Sequence, residues 1–175
     1  RGIGAAAAMG QVRSAVRALA STGLAPGPLL DALDRYARAH GVGRMTTLVH
    51  AELDVRSRRL RFACAGHLPP VVIAPDGPPR SLWDGRSLPL DAWHAVGATR
   101  PQAELELAPG STLVLYTDGL VERHRESIDA GIARLLDAIA AHGYGGPAEL
   151  ADRLMRTLRD PASTDDACLL VTRLS

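Results

Sequence analysis

Residues 111–119 read "STLVLYTDG". Leu113 and Leu115 alternate with Val114 and Tyr116, so both faces of this stretch are apolar, as in a strand covered on both sides. The strand stops at Thr117, Asp118 and Gly119. An Asp-Gly pair is also an ordinary turn, so taken singly the stretch says only that a buried strand ends at a carboxylate. Residues 163–173, "STDDACLLVTR", show the reverse arrangement: a second apolar strand, read as buried, is entered from Asp165 and Asp166. If the two strands run antiparallel in one sheet, that exit and that entrance share an edge and the carboxylates converge. Neighbouring carboxylates repel unless a proton or a cation is shared between them. Oxygen donors suit magnesium or manganese better than zinc, and the chain has neither a histidine pair at i, i+4 nor a Cys-x-x-Cys to favour a softer metal.

Around these two strands the hydrophobic period changes twice. Met9, Val12, Val16 and Leu19 have helical spacing over residues 5–20, and "PGPLLDALDRYARAHG" (26–41) repeats it with Leu29, Leu33, Tyr36 and His40 on one face. "MTTLVHAELD" and "RRLRFACAG" alternate as strands and predict a hairpin through "VRS", with Asp54 ahead of the turn. "HLPPVVIAPDGPPRSLW" predicts short strands broken by a Pro-Asp-Gly turn. Residues 84–99 read as a loop, and "AELELAPGSTLVLYTDG" predicts a second hairpin turning at Pro109 and Gly110. Two more helices follow, one with Ile128, Ile132, Leu135 and Ile139 on a face, the other starting at Pro147 with Leu150, Leu154 and Leu158. Strands in the middle with helix pairs before and after predict an α+β fold with mainly antiparallel sheet.

At 175 residues the chain fits a single domain, 1–175, with a sizeable core. Twenty basic residues nearly balance nineteen acidic ones, for a net charge of +1, which gives no electrostatic reason to expect nucleic acid or an anionic membrane as partner. No stretch approaches the roughly 20 apolar residues of a membrane span, and the N-terminus lacks the pattern of a signal peptide. Cys64 and Cys168 lie in apolar runs and read as buried free thiols of a reducing, cytoplasmic compartment, a disulfide between them being the alternative.

Three stretches in order, "ACAGHLPPVV", "LVLYTDGLVE" and "STDDACLLVTR", together resemble the SpoIIE-type branch of the metal-dependent serine/threonine protein phosphatases (PPM, protein phosphatase 2C-like). The resemblance runs along nearly the whole chain. It implies an α-β-β-α sandwich of two mainly antiparallel sheets flanked by helices, with two divalent cations, Mn2+ or Mg2+, at one edge. By the family's motifs, Asp118 and Asp165 are the metal ligands carried here, with Gly119 and Asp166 supporting. Glu122 matches a family glutamate without being a ligand, and His67 has a turn role. "RGIGAAAAM" is similar to the end of a family motif, Gly-Asp-Val-x-Gly-(His or Arg)-Gly, with Arg1 and Gly2 as its last residues. The family's first aspartate and its N-terminal strands would then precede Arg1. The expectation is the C-terminal majority of such a domain, weakly active or inactive by itself, with sensor domains upstream in the parent chain. The substrate implied is a phosphorylated regulatory protein of the anti-sigma-factor antagonist type, hydrolysed by an activated water, and residues 84–99, with Trp93, are where selectivity is expected.

Two other readings compete. Gly2, Gly4 and Ala7 satisfy G-x-G-x-x-A, but a dinucleotide site needs a preceding strand and a following acidic strand end, whereas Asp31 and Asp34 fall within a helix. The second is a phosphatase-like module that binds a partner without catalysis.

Overall fold

The computed structural model describes residues 3–92, 99–142, 145–161, 163 and 165–174. Trp93, Arg1 and Gly2, singled out from the sequence, lie outside them. The chain divides into two compact units, Arg1–His67 with Asp84–Glu106 and Leu68–Trp83 with Leu107–Ser175.

In the first unit α1 (Ile3–Ala20) and α2 (Pro26–His40) lie on a sheet of β1 (Leu48–Asp54), β2 (Arg59–Ala65), β5 (Arg86–Ser87) and β6 (Ala103–Glu106). The β1–β2 hairpin forms as the alternation predicts, from Leu48 opposite Ala65 to Asp54 opposite Arg59. Its turn closes because the Asp54 carboxylate accepts the N–H of Arg56 (2.9 Å) and the hydroxyl of Ser57 (2.8 Å), an aspartate-capped turn. Small side chains on β2, Ala63 and Ala65, let α2 approach, and Leu29, Leu30 and Leu33 bury against them with Val12 and Leu90.

The buried face of α2 is rotated from the one read in the sequence. It carries Leu29, Leu30, Leu33, Asp34 and Ala37, while His40 is exposed and its ring packs against half-buried Tyr36 at 4.6 Å. A charged side chain ordinarily faces water. Asp34 instead lies inside because Arg100, whose side chain is fully buried, meets it at 2.7 Å. Met9, expected on the inner face of α1, is 66% exposed. Residues 84–99 were expected to be loop throughout, yet Arg86 and Ser87 form β5, pairing in parallel with Cys64 and Ala65.

In the second unit β3 (Val71–Ile73), β4 (Pro79–Ser81), β7 (Thr112–Tyr116) and β8 (Leu169–Arg173) form an antiparallel sheet in the order β4-β3-β7-β8. Against it pack α4 (Ile128–His142) and α5 (Pro147–Leu158), while α3 (Asp118–Val121) is a single turn directly after β7. Leu135, Ile139, Leu150 and Leu154 are wholly buried together with Val114. Each such leucine contributes about 1.5–3 kcal/mol by leaving water. β7 is the apolar strand covered on both faces, with Val114 and Tyr116 in this cluster and Leu113 also buried.

One strand pairing departs from expectation. β6 and β7 are not a hairpin: β6 pairs with β2 in the first unit's sheet, and β7 with β3 and β8 in the second. The turn at Pro109–Gly110 exists, with the Ser111 N–H bonded to the Ala108 carbonyl (3.0 Å), but it joins two sheets. The β6 pairing brings opposite charges together. Glu104 and Glu106 on β6 pair with Arg59 (3.1 Å) and Arg58 (3.2 Å), whereas β7 is mostly apolar and carries no charged side chain. Strand β8 is likewise less buried than its composition implies, with Leu170 51% exposed, because it is the outer strand of its sheet among the described residues. Cys64 is buried and Cys168 exposed, and both are free. Among the described residues no helix is long and apolar enough to cross a membrane.

Candidate metal centre

The exit of β7 and the entrance of β8 lie side by side. The ladder runs Thr112–Arg173 to Tyr116–Leu169, and one residue further the Thr117 N–H donates to the Cys168 carbonyl (3.0 Å) while the Cys168 N–H donates to Thr117 Oγ1 (2.9 Å). Beyond that pair the chains stay in contact. A Cβ placed on Gly119 would stand 2.5 Å from the Asp166 carbonyl oxygen. Glycine is required there because the two backbones leave no room for a side chain.

Asp118 and Asp165–Asp166 therefore flank the same junction, and the side chains of all three are exposed. One oxygen of Asp118, Oδ1, accepts the N–H of Gly119 (2.8 Å), which turns the carboxylate over the start of α3. The Asp165 N–H donates to Ser163 Oγ (3.2 Å), a local turn ahead of β8. Glu122 caps α3 through its backbone, its N–H donating to the Asp118 carbonyl (2.7 Å), and its side chain is exposed. His67 is half-buried just after β2 in the other unit.

The donors brought together are carboxylates and backbone carbonyls, which fit a hard divalent cation by type. Among the described residues no group of three or more His, Cys, Asp or Glu side chains is arranged to hold a metal ion.

The family model of stage II sporulation protein E (SpoIIE) matches residues 1–175. The chain belongs to the SpoIIE family. Solved structures agree with that membership. The RsbU and RsbW domains of Rv1364c from Mycobacterium tuberculosis match at 31% identity and a TM-score of 0.84, over 99% of this chain and 50% of that one. The SiaA-PP2C domain of Pseudomonas aeruginosa matches at 22% identity and a TM-score of 0.76, over 97% and 69%. The phosphatase domain of SpoIIE from Bacillus subtilis, presoaked with Mn, matches at 18% identity and a TM-score of 0.65, over 91% and 70%. This SpoIIE-family chain spans half the length of the M. tuberculosis chain, and its fold is that of PP2C phosphatase domains.

Two sets of contacts, one beside the junction and one within the first unit, are not signalled by local pattern in the same way. Arg134 and Gly131 on α4 hold the far end of α3, and the signal for them, a glycine in a helix interior, was available. Asp34 and Arg100 are the second omission. Their only sequence trace is an aspartate between Leu30, Leu33 and Ala37.

Proposed function

We propose that this SpoIIE-family chain is the catalytic part of a metal-dependent protein serine/threonine phosphatase. It would act in the cytoplasm on a phosphorylated regulatory protein of the anti-sigma-factor antagonist type. The observation that carries the reading is the approach of the Asp166 backbone to Gly119, which sets Asp118 beside the Asp165–Asp166 pair. Membership of the SpoIIE family supports the reaction class. The RsbW domain that accompanies RsbU in the M. tuberculosis relative supports a partner-switching context.

In this reading Asp118 and Asp165 hold two divalent cations, Mn2+ or Mg2+. Gly119 and Asp166 keep the two strand ends in contact. Bound cations would neutralise phosphate charge and lower the pKa of a water molecule toward neutrality. The aspartates serve as ligands and not as nucleophiles. The hydrogen bond from Gly119 to Asp118 orients a carboxylate, and the paired backbone of Thr117 and Cys168 keeps the junction from opening. Water adds to phosphorus and the serine or threonine oxygen departs, so no covalent bond to the protein forms.

The test uses the full-length protein and a phosphoserine protein substrate with Mn2+. Asp118→Asn and Asp165→Asn keep size and remove charge, so phosphate release and Mn2+ affinity should fall by about two orders of magnitude or more while folding is retained. Retained activity in both variants would overturn the assignment. A second reading, a phosphatase-like module that binds a partner without catalysis, is favoured by the lack of a three-carboxylate group among the described residues. Failure of the full-length protein to bind Mn2+ would select it.

A further inference from the structure

The residue that presents Asp118 sits on a helix too short to hold itself. Single-turn α3 is closed by short-range backbone bonds, among them the Leu120 N–H to the Thr117 carbonyl (3.1 Å) and the Glu122 N–H to the Asp118 carbonyl (2.7 Å). Isolated helices many times longer are marginal in water, so the position of α3 is set by what it touches. Leu120 and Val121 are buried in the α4–α5 core. At the far end of the turn the Val121 carbonyl, one of the terminal groups an α-helix leaves without a partner, accepts from Arg134 Nη2 (3.0 Å). The same guanidinium donates through Nη1 to Glu126 Oε2 (2.6 Å), and its side chain is 26% exposed. Gly131, one turn earlier on α4, lies against the same carbonyl so closely that a methyl there would overlap the oxygen.

From this geometry we infer that Arg134 is a positioning residue for Asp118. It grips the carbonyl end of α3 and the loop beyond it, so that the turn cannot unwind and the carboxylate at its start keeps one orientation. A planar guanidinium suits this because it offers two parallel donors to two acceptors at once, and a charged donor bonds more strongly than a neutral one. The inference rests on the reading of Asp118 as a metal ligand, and it adds a side chain about one helical segment away that tunes the ligand without touching the cation.

The experiment compares Arg134→Met, Arg134→Lys, Ile139→Val and Asp118→Asn in the full-length protein. Three quantities are measured: Mn2+ affinity by titration of the free-ion paramagnetic signal, hydrogen exchange of the Glu122 amide, and thermal unfolding. Arg134→Met should weaken Mn2+ binding about tenfold or more, the usual effect of losing a partner behind a metal ligand, and speed exchange at Glu122 at least tenfold. Arg134→Lys, which keeps the charge and can serve one acceptor, should fall between. Ile139→Val trims one methyl from the same helix while keeping Arg134 and both its acceptors, and should change neither quantity. Wild-type values of either quantity in Arg134→Met overturn the inference. So does an Ile139→Val protein that loses Mn2+ affinity as strongly. Unchanged Mn2+ affinity in Asp118→Asn overturns the metal-site reading itself, whereas weakened binding there with wild-type binding in Arg134→Met overturns the positioning role alone.

Discussion

At the scale of single residues, Gly119 decides whether the junction can form. Its Cα faces the Asp166 carbonyl with no space for a methyl group. Gly119→Ala should push β8 away from β7 at the carboxylate end. We expect a stability loss of about 1–3 kcal/mol, the usual range for forcing extra volume into a packed site, measured by urea unfolding, with a parallel loss of Mn2+ affinity in the full-length protein. Asp118 itself is a different kind of residue. It is exposed, and its substitution by asparagine should leave stability nearly unchanged. The contrast separates a residue that shapes the site from one that serves it.

At the scale of elements, α2 shows how a helix can carry a charge into a core. Arg100 donates to Asp34 Oδ1 (2.7 Å), Ser87 Oγ (2.7 Å) and the Leu88 carbonyl (2.6 Å), while its backbone N–H meets the Asp31 carboxylate (3.1 Å). The Asp91 N–H also donates to Asp34 Oδ1 (2.8 Å). One helix face thereby fastens residues 87–91 and 100 through polar contacts as well as through the packing of Leu90. Removing Arg100 leaves the buried Asp34 carboxylate with only the partly exposed Arg38 (3.1 Å) as a cationic partner, so Arg100→Met should cost about 3 kcal/mol. The double variant Asp34→Leu, Arg100→Met should lose less than the single one, because no charge is then stranded. Denaturant unfolding of the three proteins measures both. A double variant less stable than Arg100→Met would mean that the polar contacts to Ser87, Leu88 and Asp91 dominate the pair.

At the scale of the whole molecule, the chain passes between its two units at His67–Leu68, Trp83–Asp84 and Glu106–Leu107, so neither unit is a continuous segment. Pairing is therefore mostly non-local. Global stability also carries a pH signature. Burial pushes the Cys64 thiol from 9.0 up to about 11, and the nearby Arg86 charge opposes it. The raised value means the unfolded chain loses this proton first. The stability that the neutral buried thiol contributes is fully present below pH 9 and is lost as pH rises through 11. Cys64→Ala removes that slope, so the stability difference between wild type and variant should shrink from pH 8 to pH 10.5 in chemical denaturation. A constant difference would refute the assigned cause.

Local pattern was enough for the four longer helices, for the β1–β2 hairpin and for the short strands on either side of the Pro-Asp-Gly turn, since period, turn residues and capping are written within a few residues of where they act; the single turn α3, read as an Asp-Gly turn, was not. The edge shared by Asp118 and the Asp165–Asp166 pair was legible too, because two apolar strands ending in carboxylates can meet in few ways. The partner of β6, the inward turn of Asp34 and the grip of Arg134 on Val121 were not. Each depends on a residue 13 to 66 positions away or on a strand in another part of the chain. A charge reads as outward until the opposite charge that buries it is known. By itself the amino-acid sequence determined the elements and the place where the carboxylates gather. The tertiary structure decided which strands pair and which side chains meet across the chain, because sheet pairing and buried ion pairs are contacts between segments that no local pattern encodes.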